Sequence, residues 1–166
     1  MTEADRAHPA EPGASRDADR AHPAEPGASH TKVVVNVDGG ARGNPGPAAV
    51  GAVAADPDGG VLAERGAYIG ETTNNVAEYR ALLLGLELAR ELGAGEVEVV
   101  NDSELVAKQI SGAYRVKHAG LKPLYLEAME SLRGFDRWQV RSVRRESNTR
   151  ADALVNAALD AELQAR

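Results

Sequence analysis

The stretch that decides the fold is residues 32–47, KVVVNVDGGARGNPGP. Four of its first seven residues, Lys32 to Asp38, are the apolar and β-branched valine, which predicts a strand buried on both faces of a sheet. The glycines and prolines from Gly39 to Pro47 predict a loop. Asp38 is therefore expected to end a buried strand, directly before two glycines.

The sequence after this loop alternates between strand and helix patterns. Strands that form a hairpin come first and strands linked by helices follow, an order written βββαβααβα that predicts a mixed α/β sheet with helices on its faces. The predicted elements are strands at 48–55 and 61–69, a helix at 75–92, a strand at 96–100, helices at 103–110 and 121–132, a strand at 138–143 and a closing helix at 148–164.

Residues 1–30 have a different composition from the rest of the chain. They contain no Val, Ile, Leu, Phe, Tyr or Trp, and the segment ADRAHPAEPGAS occurs at 4–15 and again at 18–29. Such a segment has nothing to bury against the entropy cost of ordering, so we expect a disordered, duplicated tail. Residues 31–166 have the usual size of one domain.

Composition excludes several classes of protein. The chain has no cysteine, which excludes a disulfide framework, a thiolate nucleophile and a cysteine-bound metal, and favours a reducing compartment. No apolar run approaches the ~20 residues of a membrane span, and no signal-peptide pattern is present at the N-terminus. We therefore expect a soluble, cytoplasmic protein without a membrane partner.

The net charge of −6 argues weakly against a general binder of polyanions. The distribution of charged residues along the chain reverses that inference. Residues 1–30 hold six acidic and three basic groups, whereas 105–126 hold four basic groups and no acid, and 137–150 hold five arginines and one glutamate. The basic segments favour contact with nucleic acid.

Four acidic residues stand where packing favours apolar side chains. Asp38 and Asp102 end predicted strands, and Glu78 and Asp152 lie on or beside the inward stripes of predicted helices. Each alone has an ordinary explanation, such as a helix cap or an Asx turn. The sequence shows no matching set of four buried basic residues, although buried carboxylates need partners of opposite charge. The set therefore predicts a Mg²⁺ site of the kind in which two ions about 4 Å apart clamp a phosphoryl displacement.

Four ordered motifs resemble those of the ribonuclease H type 1 family: DGGARGNPGP at 38–47, TTNNVAEY at 72–79, NDSE at 101–104 and NTRAD at 148–152. The resemblance implies a ribonuclease H-like fold, with a five-stranded mixed sheet of three antiparallel strands followed by two parallel ones. It also implies an endonuclease that cleaves the RNA strand of RNA/DNA hybrids with two Mg²⁺ ions, or Mn²⁺ in their place, and leaves 5′-phosphate and 3′-hydroxyl ends.

The resemblance implies a role for each carboxylate. Asp38 bridges both ions, Asp152 helps to hold the ion that activates water, and Glu78 with Asp102 holds the ion at the leaving 3′-oxygen. The family's substrate contacts, with Asn at the minor groove and Thr at a DNA phosphate, fall on Gly39, Gly40, Asn44, Thr73, Asn74, Asn75 and Glu104. Amide side chains suit this task because they bond 2′-hydroxyls and base edges in a shallow groove without reading sequence.

The sequence departs from the family pattern in three places, one of which is Glu104, where a glutamine groove contact is common. The loop 144–147 lacks the histidine that many relatives carry before the last aspartate, and Glu146 is either its substitute or a solvated carboxylate. Segment 112–118 stands in place of the basic protrusion of some bacterial members. These departures resemble a shorter subgroup, some of whose members also act on duplex RNA, so duplex RNA is a second candidate substrate. We expect a monomer with no obligate protein partner.

Two alternatives keep part of this interpretation. The chain could be another nuclease of the same fold, such as an exonuclease or a resolvase, because fold alone does not fix substrate. It could also be a non-catalytic module that binds hybrids. The TTNN and GNPGP segments favour a hybrid substrate, and the presence of all four carboxylates favours catalysis.

Overall fold

The computed structural model describes residues 31–166, and the expected tail at 1–30 lies outside the described residues. The elements follow the predicted order: β1 Lys32–Ala41, β2 Gly46–Ala55, β3 Val61–Thr72, α1 Asn74–Glu91, β4 Glu96–Asn101, α2 Glu104–Ser111, α3 Lys122–Leu132, β5 Arg137–Ser142, a 3₁₀ turn Arg145–Ser147 and α4 Thr149–Gln164. No helix in this part of the chain is both long enough and apolar enough to cross a membrane.

The five strands form one mixed sheet in the order β3-β2-β1-β4-β5. The pairs β1–β2 and β2–β3 are antiparallel, and the pairs β1–β4 and β4–β5 are parallel. The predicted topology of three antiparallel and two parallel strands is therefore confirmed. The apolar β1 lies at the centre, where both of its edges are paired.

The prediction that Asp38 ends β1 is wrong, because the strand continues to Ala41. The antiparallel ladder with β2 runs on through Asp38 opposite Gly51 to Ala41 opposite Ala48. Pairing satisfies the backbone groups of this segment, which outweighs the weak strand preference of its two glycines. The parallel ladder with β4 stops at Asn36, so Asp38 lies just beyond the point where β1 and β4 separate.

Helices cover the two faces of the sheet unequally. On one face, α1 buries Tyr79, Leu82 and Leu86 against the valines of β1. The hydroxyl of Tyr79 donates a 2.6 Å hydrogen bond to Oε1 of Gln109, which links α1 to α2 inside the core. On the other face, α4 packs Val155 and Leu159 on β2.

Ion pairs connect the edge strand β3 to a helix on each face of the sheet. Glu64 pairs with Arg150 of α4, with Nε and Oε1 3.0 Å apart, and Arg65 pairs with Glu91 of α1 at 2.9 Å. The β2–β3 ladder also shifts register twice, between Ala48 and Ala49 and at the Ala55 end. The two ion pairs therefore connect β3 to α1 and to α4, although much of the strand is exposed.

Candidate functional site

Three of the four predicted carboxylates meet at the point where β1 and β4 separate. Asp38, Glu78 and Asp102 each offer an oxygen that lies within 4.8 Å of the other two. Asp38 comes from the centre of the sheet, Glu78 from the start of α1, and Asp102 from the turn that follows β4. Three separate elements thus direct acidic side chains to one place.

Hydroxyl side chains fix the helix starts beside this cluster. Thr73 caps α1 by accepting from the N–H of Val76 at 3.2 Å, and Ser103 caps α2 by accepting from the N–H of Val106 at 3.2 Å. Asp102 is therefore not the cap of α2, and its carboxylate is free for the cluster. Thr73, for which the resemblance predicts a contact to a DNA phosphate, has a structural role as the cap of α1.

Burial and mutual repulsion hold protons on this cluster. Burial raises the pKa of Asp38 to about 8, with further contributions from the Asp102 charge and from Asp152. Burial, followed by the charges of Asp38 and Asp102, raises the pKa of Glu78 to about 9. Burial also raises the pKa of Asp102. Crowded carboxyl groups with raised pKa values are poised to exchange protons for a cation.

Two buried oxygens of the cluster also indicate a site for a divalent cation. Oε1 of Glu78 and Oδ2 of Asp102 are buried and have no hydrogen-bond partner. Unpartnered buried oxygens are costly, and hard cations such as Mg²⁺ prefer oxygen ligands of this type. The three residues that would hold such an ion are those of the cluster.

Asp152 lies beside the cluster, on α4. Asp152 contributes to the raised pKa of Asp38, but it is not one of the three carboxylates whose oxygens lie within 4.8 Å of one another. Nδ2 of Asn156 lies 3.3 Å from Oδ2 of Asp152. Arg42 contacts the same helix by donating to Oδ1 of Asn156 at 3.1 Å and by pairing with Asp160 at 2.9 Å.

Arg145 is the residue at this site that sequence reasoning missed. Its positive charge lowers, in part, the pKa values of Asp38, Glu78 and Asp102. It lies in the loop that lacks the family's histidine, directly before Glu146, which is exposed. The arginine-rich composition of 137–150 was visible in the sequence, but nothing local distinguished Arg145 from its neighbours.

The asparagines predicted to meet substrate lie together near the end of β1. Oδ1 of Asn44 accepts from the backbone N–H of Asn74 at 3.0 Å, and Oδ1 of Asn74 accepts from the N–H of Ala41 at 2.8 Å. Both side chains and Asn75 are exposed. With the oxygens engaged, the NH₂ groups of Asn44 and Asn74 have no partner among residues 31–166 and are available as donors.

The remaining predicted contacts are divided between buried and exposed positions. Gly39 is buried and Gly40 is half-buried. Glu104 is exposed at the start of α2, where it pairs with Lys108 at 3.4 Å. Glu104 therefore lies two residues after Asp102, with its side chain on the solvent side.

This strand order, with carboxylates gathered where the central strand parts from its parallel neighbour, defines the ribonuclease H-like class of α/β proteins. The family model described as Reverse transcriptase-like matches residues 36–158. The chain belongs to the ribonuclease H type 1 family, as the relatives below also show.

Two curated relatives are similar over most of this chain. The Ribonuclease HI of Halobacterium salinarum is 50% identical over 123 residues, which are 74% of this chain and 62% of that protein. The Bifunctional protein Rv2228c of Mycobacterium tuberculosis is 51% identical over 134 residues, 80% of this chain and 37% of that protein. This chain therefore spans less than two thirds of either relative.

A solved structure extends the likeness to a nucleic-acid complex. LC11-RNase H1, crystallised in complex with an RNA/DNA hybrid, is 45% identical and superposes with a TM-score of 0.76. The match covers 79% of this chain and 99% of that one.

Proposed function

We propose that this chain is a metal-dependent endonuclease that cleaves the RNA strand of RNA/DNA hybrids. The observation that carries the proposal is the convergence of Asp38, Glu78 and Asp102 within 4.8 Å, with orphaned buried oxygens among them. A binding module has no need of three crowded carboxylates, which oppose the approach of a polyanion unless cations offset them. Family membership and the hybrid complex of a relative support the substrate class.

The four carboxylates have distinct tasks in this proposal. Asp38, Glu78 and Asp102 hold cations at the fork between β1 and β4, and Asp152 completes the set from α4. Bound Mg²⁺, or Mn²⁺ in its place, supplies positive charge to the attacking and leaving oxygens of an in-line displacement. Cleavage on the 3′-oxygen side of the phosphate gives 5′-phosphate and 3′-hydroxyl products.

The exposed amides give the preference for RNA on the cleaved strand. The NH₂ groups of Asn44 and Asn74 are free to donate, and 2′-hydroxyls in a minor groove accept such bonds. Lys108, Arg141 and Arg150 of the basic segments are ion-paired with carboxylates of the chain, so the contacts to phosphate are assigned to Arg115, Lys117, Lys122 and Arg144. Because 2′-hydroxyls and phosphates are also present in duplex RNA, that duplex is the second candidate substrate.

The test is cleavage of labelled RNA/DNA, RNA/RNA and DNA/DNA duplexes, and of DNA with a single ribonucleotide, in Mg²⁺, Mn²⁺ or EDTA. Cleavage of the RNA strand of the hybrid is expected in either metal, none is expected in EDTA, and DNA/DNA stays intact. Asp38→Asn is the matched control, expected to bind hybrid without cutting it. Cutting of DNA/DNA, or full activity in EDTA, contradicts the proposal.

We also propose that residues 31–166 suffice for this activity in a monomer located in the cytoplasm. Residues 31–166 contain every side chain assigned above. Removal of residues 1–30 is expected to leave the melting temperature nearly unchanged and the cleavage rate within about twofold. Light scattering is expected to give the mass of one chain.

A further inference from the structure

The side chain of Asn148 is buried among the elements that carry the carboxylates. It is 1% exposed, and its Nδ2 donates to the carbonyl oxygen of Val37, directly before Asp38, at 2.8 Å. Its backbone carbonyl accepts from the N–H of Asp152 at 3.2 Å. The same side chain lowers, in part, the pKa of Asp102. Asn148 therefore bonds directly to the residue before Asp38 and to the backbone of Asp152.

The orientation of this amide is set by Asn36. Nδ2 of Asn36 donates to Oδ1 of Asn148 at 2.9 Å, across 112 positions of sequence. A carbonyl oxygen only accepts, so Val37 requires the NH₂ end of Asn148 to face it, and the oxygen end then needs a donor. Asn36 supplies that donor. If the Asn148 amide rotated by half a turn, its oxygen would face the Val37 carbonyl, which is repulsive.

Asn36 also lies at the point where β1 and β4 separate. It is the last residue of β1 that pairs with β4, opposite Val100, and Asp38 follows two positions later on the same face. It belongs to none of the four sequence motifs. The Asn36–Asn148 bond thus joins the fork of the sheet to the residue from which α4 begins.

We propose that Asn36 is a positioning residue for the metal centre: through Asn148 it fixes the separation between β1 and the start of α4, and with it the geometry of the carboxylate cluster. The inference rests on the proposed function, since it concerns the same centre. It differs from a purely structural role in one respect. A structural bond would change stability alone, whereas a positioning bond changes cation affinity in the fully folded protein.

The test compares the full chain with Asn36→Leu, which keeps bulk and removes the donor, and with Asn36→Ala. Gln139→Ala, an exposed amide on β5, is the control. Mg²⁺ binding is measured by calorimetry without nucleic acid, at a temperature where urea unfolding shows each variant to be folded. We expect a fivefold or greater loss of Mg²⁺ affinity in both Asn36 variants and no change in the control.

Cleavage gives the second readout. The single-turnover rate is expected to fall at least fivefold in the Asn36 variants at subsaturating Mg²⁺, while hybrid affinity in EDTA stays within twofold. Asn36→Ala combined with Asn148→Ala is expected to lose no more than Asn148→Ala alone, because Asn36 acts through Asn148. If Asn36→Leu does not fold, Asn36→Ala decides the matter.

Two results overturn the inference: Mg²⁺ affinity within twofold of wild type in a folded Asn36 variant, or additive losses in the double variant. Either can occur while the wild-type chain cleaves hybrids normally, and the proposed function then stands. If the wild-type chain binds Mg²⁺ but cuts no duplex, the proposed function fails, and calorimetry alone still decides the role of Asn36.

Discussion

A Cβ atom on Gly39 would lie 2.1 Å from the carbonyl oxygen of Ala77, so β1 and α1 touch backbone to backbone at this point. The same approach brings the Gly39 backbone near the Glu78 carboxyl group, and this backbone opposes, in part, the rise in the Glu78 pKa. The absence of a side chain at 39 thus brings Asp38 and Glu78 into one cluster.

Gly39→Ala is therefore expected to destabilise the fold by about 2 kcal/mol or more, because backbone atoms cannot yield as a flexible side chain does. Gly40→Ala is the matched control, since its Cβ would meet nothing closer than Val155 Cγ1 at 3.9 Å. Urea unfolding in EDTA measures both. Equal stability of the two variants would mean that the close contact is not required.

The raised carboxyl pKa values predict a pH dependence of stability in the metal-free protein. Above about pH 4 the unfolded chain ionises Asp38 and Glu78, while the folded chain keeps their protons until about pH 8 and 9. The folded chain binds more protons, so the free energy of unfolding falls as pH rises from about 4 to 9. Asp38→Asn is expected to be more stable than wild type at pH 8 in EDTA, by about 1 kcal/mol or more.

Unfolding curves at pH 4, 6 and 8 check this expectation, with the exposed Asp136→Asn as control. The advantage of Asp38→Asn should vanish near pH 4 and should reverse when Mg²⁺ is added at pH 8. A stability difference that does not change with pH would contradict the electrostatic account.

Arg145 offsets the negative charge of the cluster, and its removal is expected to raise the carboxyl pKa values. In Arg145→Ala the acid limb of the pH–rate profile should move to higher pH, by up to about one unit because an exposed charge is screened. Arg145→Lys, which keeps the charge, should stay close to wild type. Arg144→Ala tests whether any arginine of this loop has the same effect, and a shift of equal size there would argue against a specific role.

The two asparagines at the end of β1 permit a separation of structure from substrate binding. Asn44→Asp and Asn74→Asp keep the oxygen that accepts from the backbone but lose the NH₂ donor. Both variants are expected to keep the wild-type melting temperature within about 3 °C and to raise KM for the hybrid about tenfold, which corresponds to ~1.4 kcal/mol. Glu71→Gln, at an exposed position of β3, removes a negative charge and controls for the charge that the Asp variants add. An unchanged KM in both Asp variants would show that the amides do not bind substrate.

Much of the fold followed from local patterns in the sequence. The β-branched run at 32–38 and the leucine stripe of 75–92 predicted the central strand and its covering helix, because period and side-chain shape are local properties. The sequence predicted one site for Asp38, Glu78, Asp102 and Asp152, and the structure brings oxygens of the first three within 4.8 Å of one another.

The features that were not predicted depend on partners far away in sequence. The extension of β1 through its glycines requires the facing residues of β2. The Asn36–Asn148 bond spans 112 positions, and Arg145 reaches the carboxylates only after the loop before α4 has folded. Ser103 rather than Asp102 caps α2, a choice between adjacent residues that composition does not resolve.

The edge strand β3 bears on how the molecule behaves at high concentration. An exposed strand of 12 residues is long enough to recruit a strand from another copy and begin aggregation. The two register shifts interrupt its flat row of backbone groups, and the ion-paired Glu64 and Arg65 place charge at its centre on both faces. Intermolecular sheet growth along β3 is thereby disfavoured, so the bulges and charges that complicate this strand also protect the chain in a crowded solution.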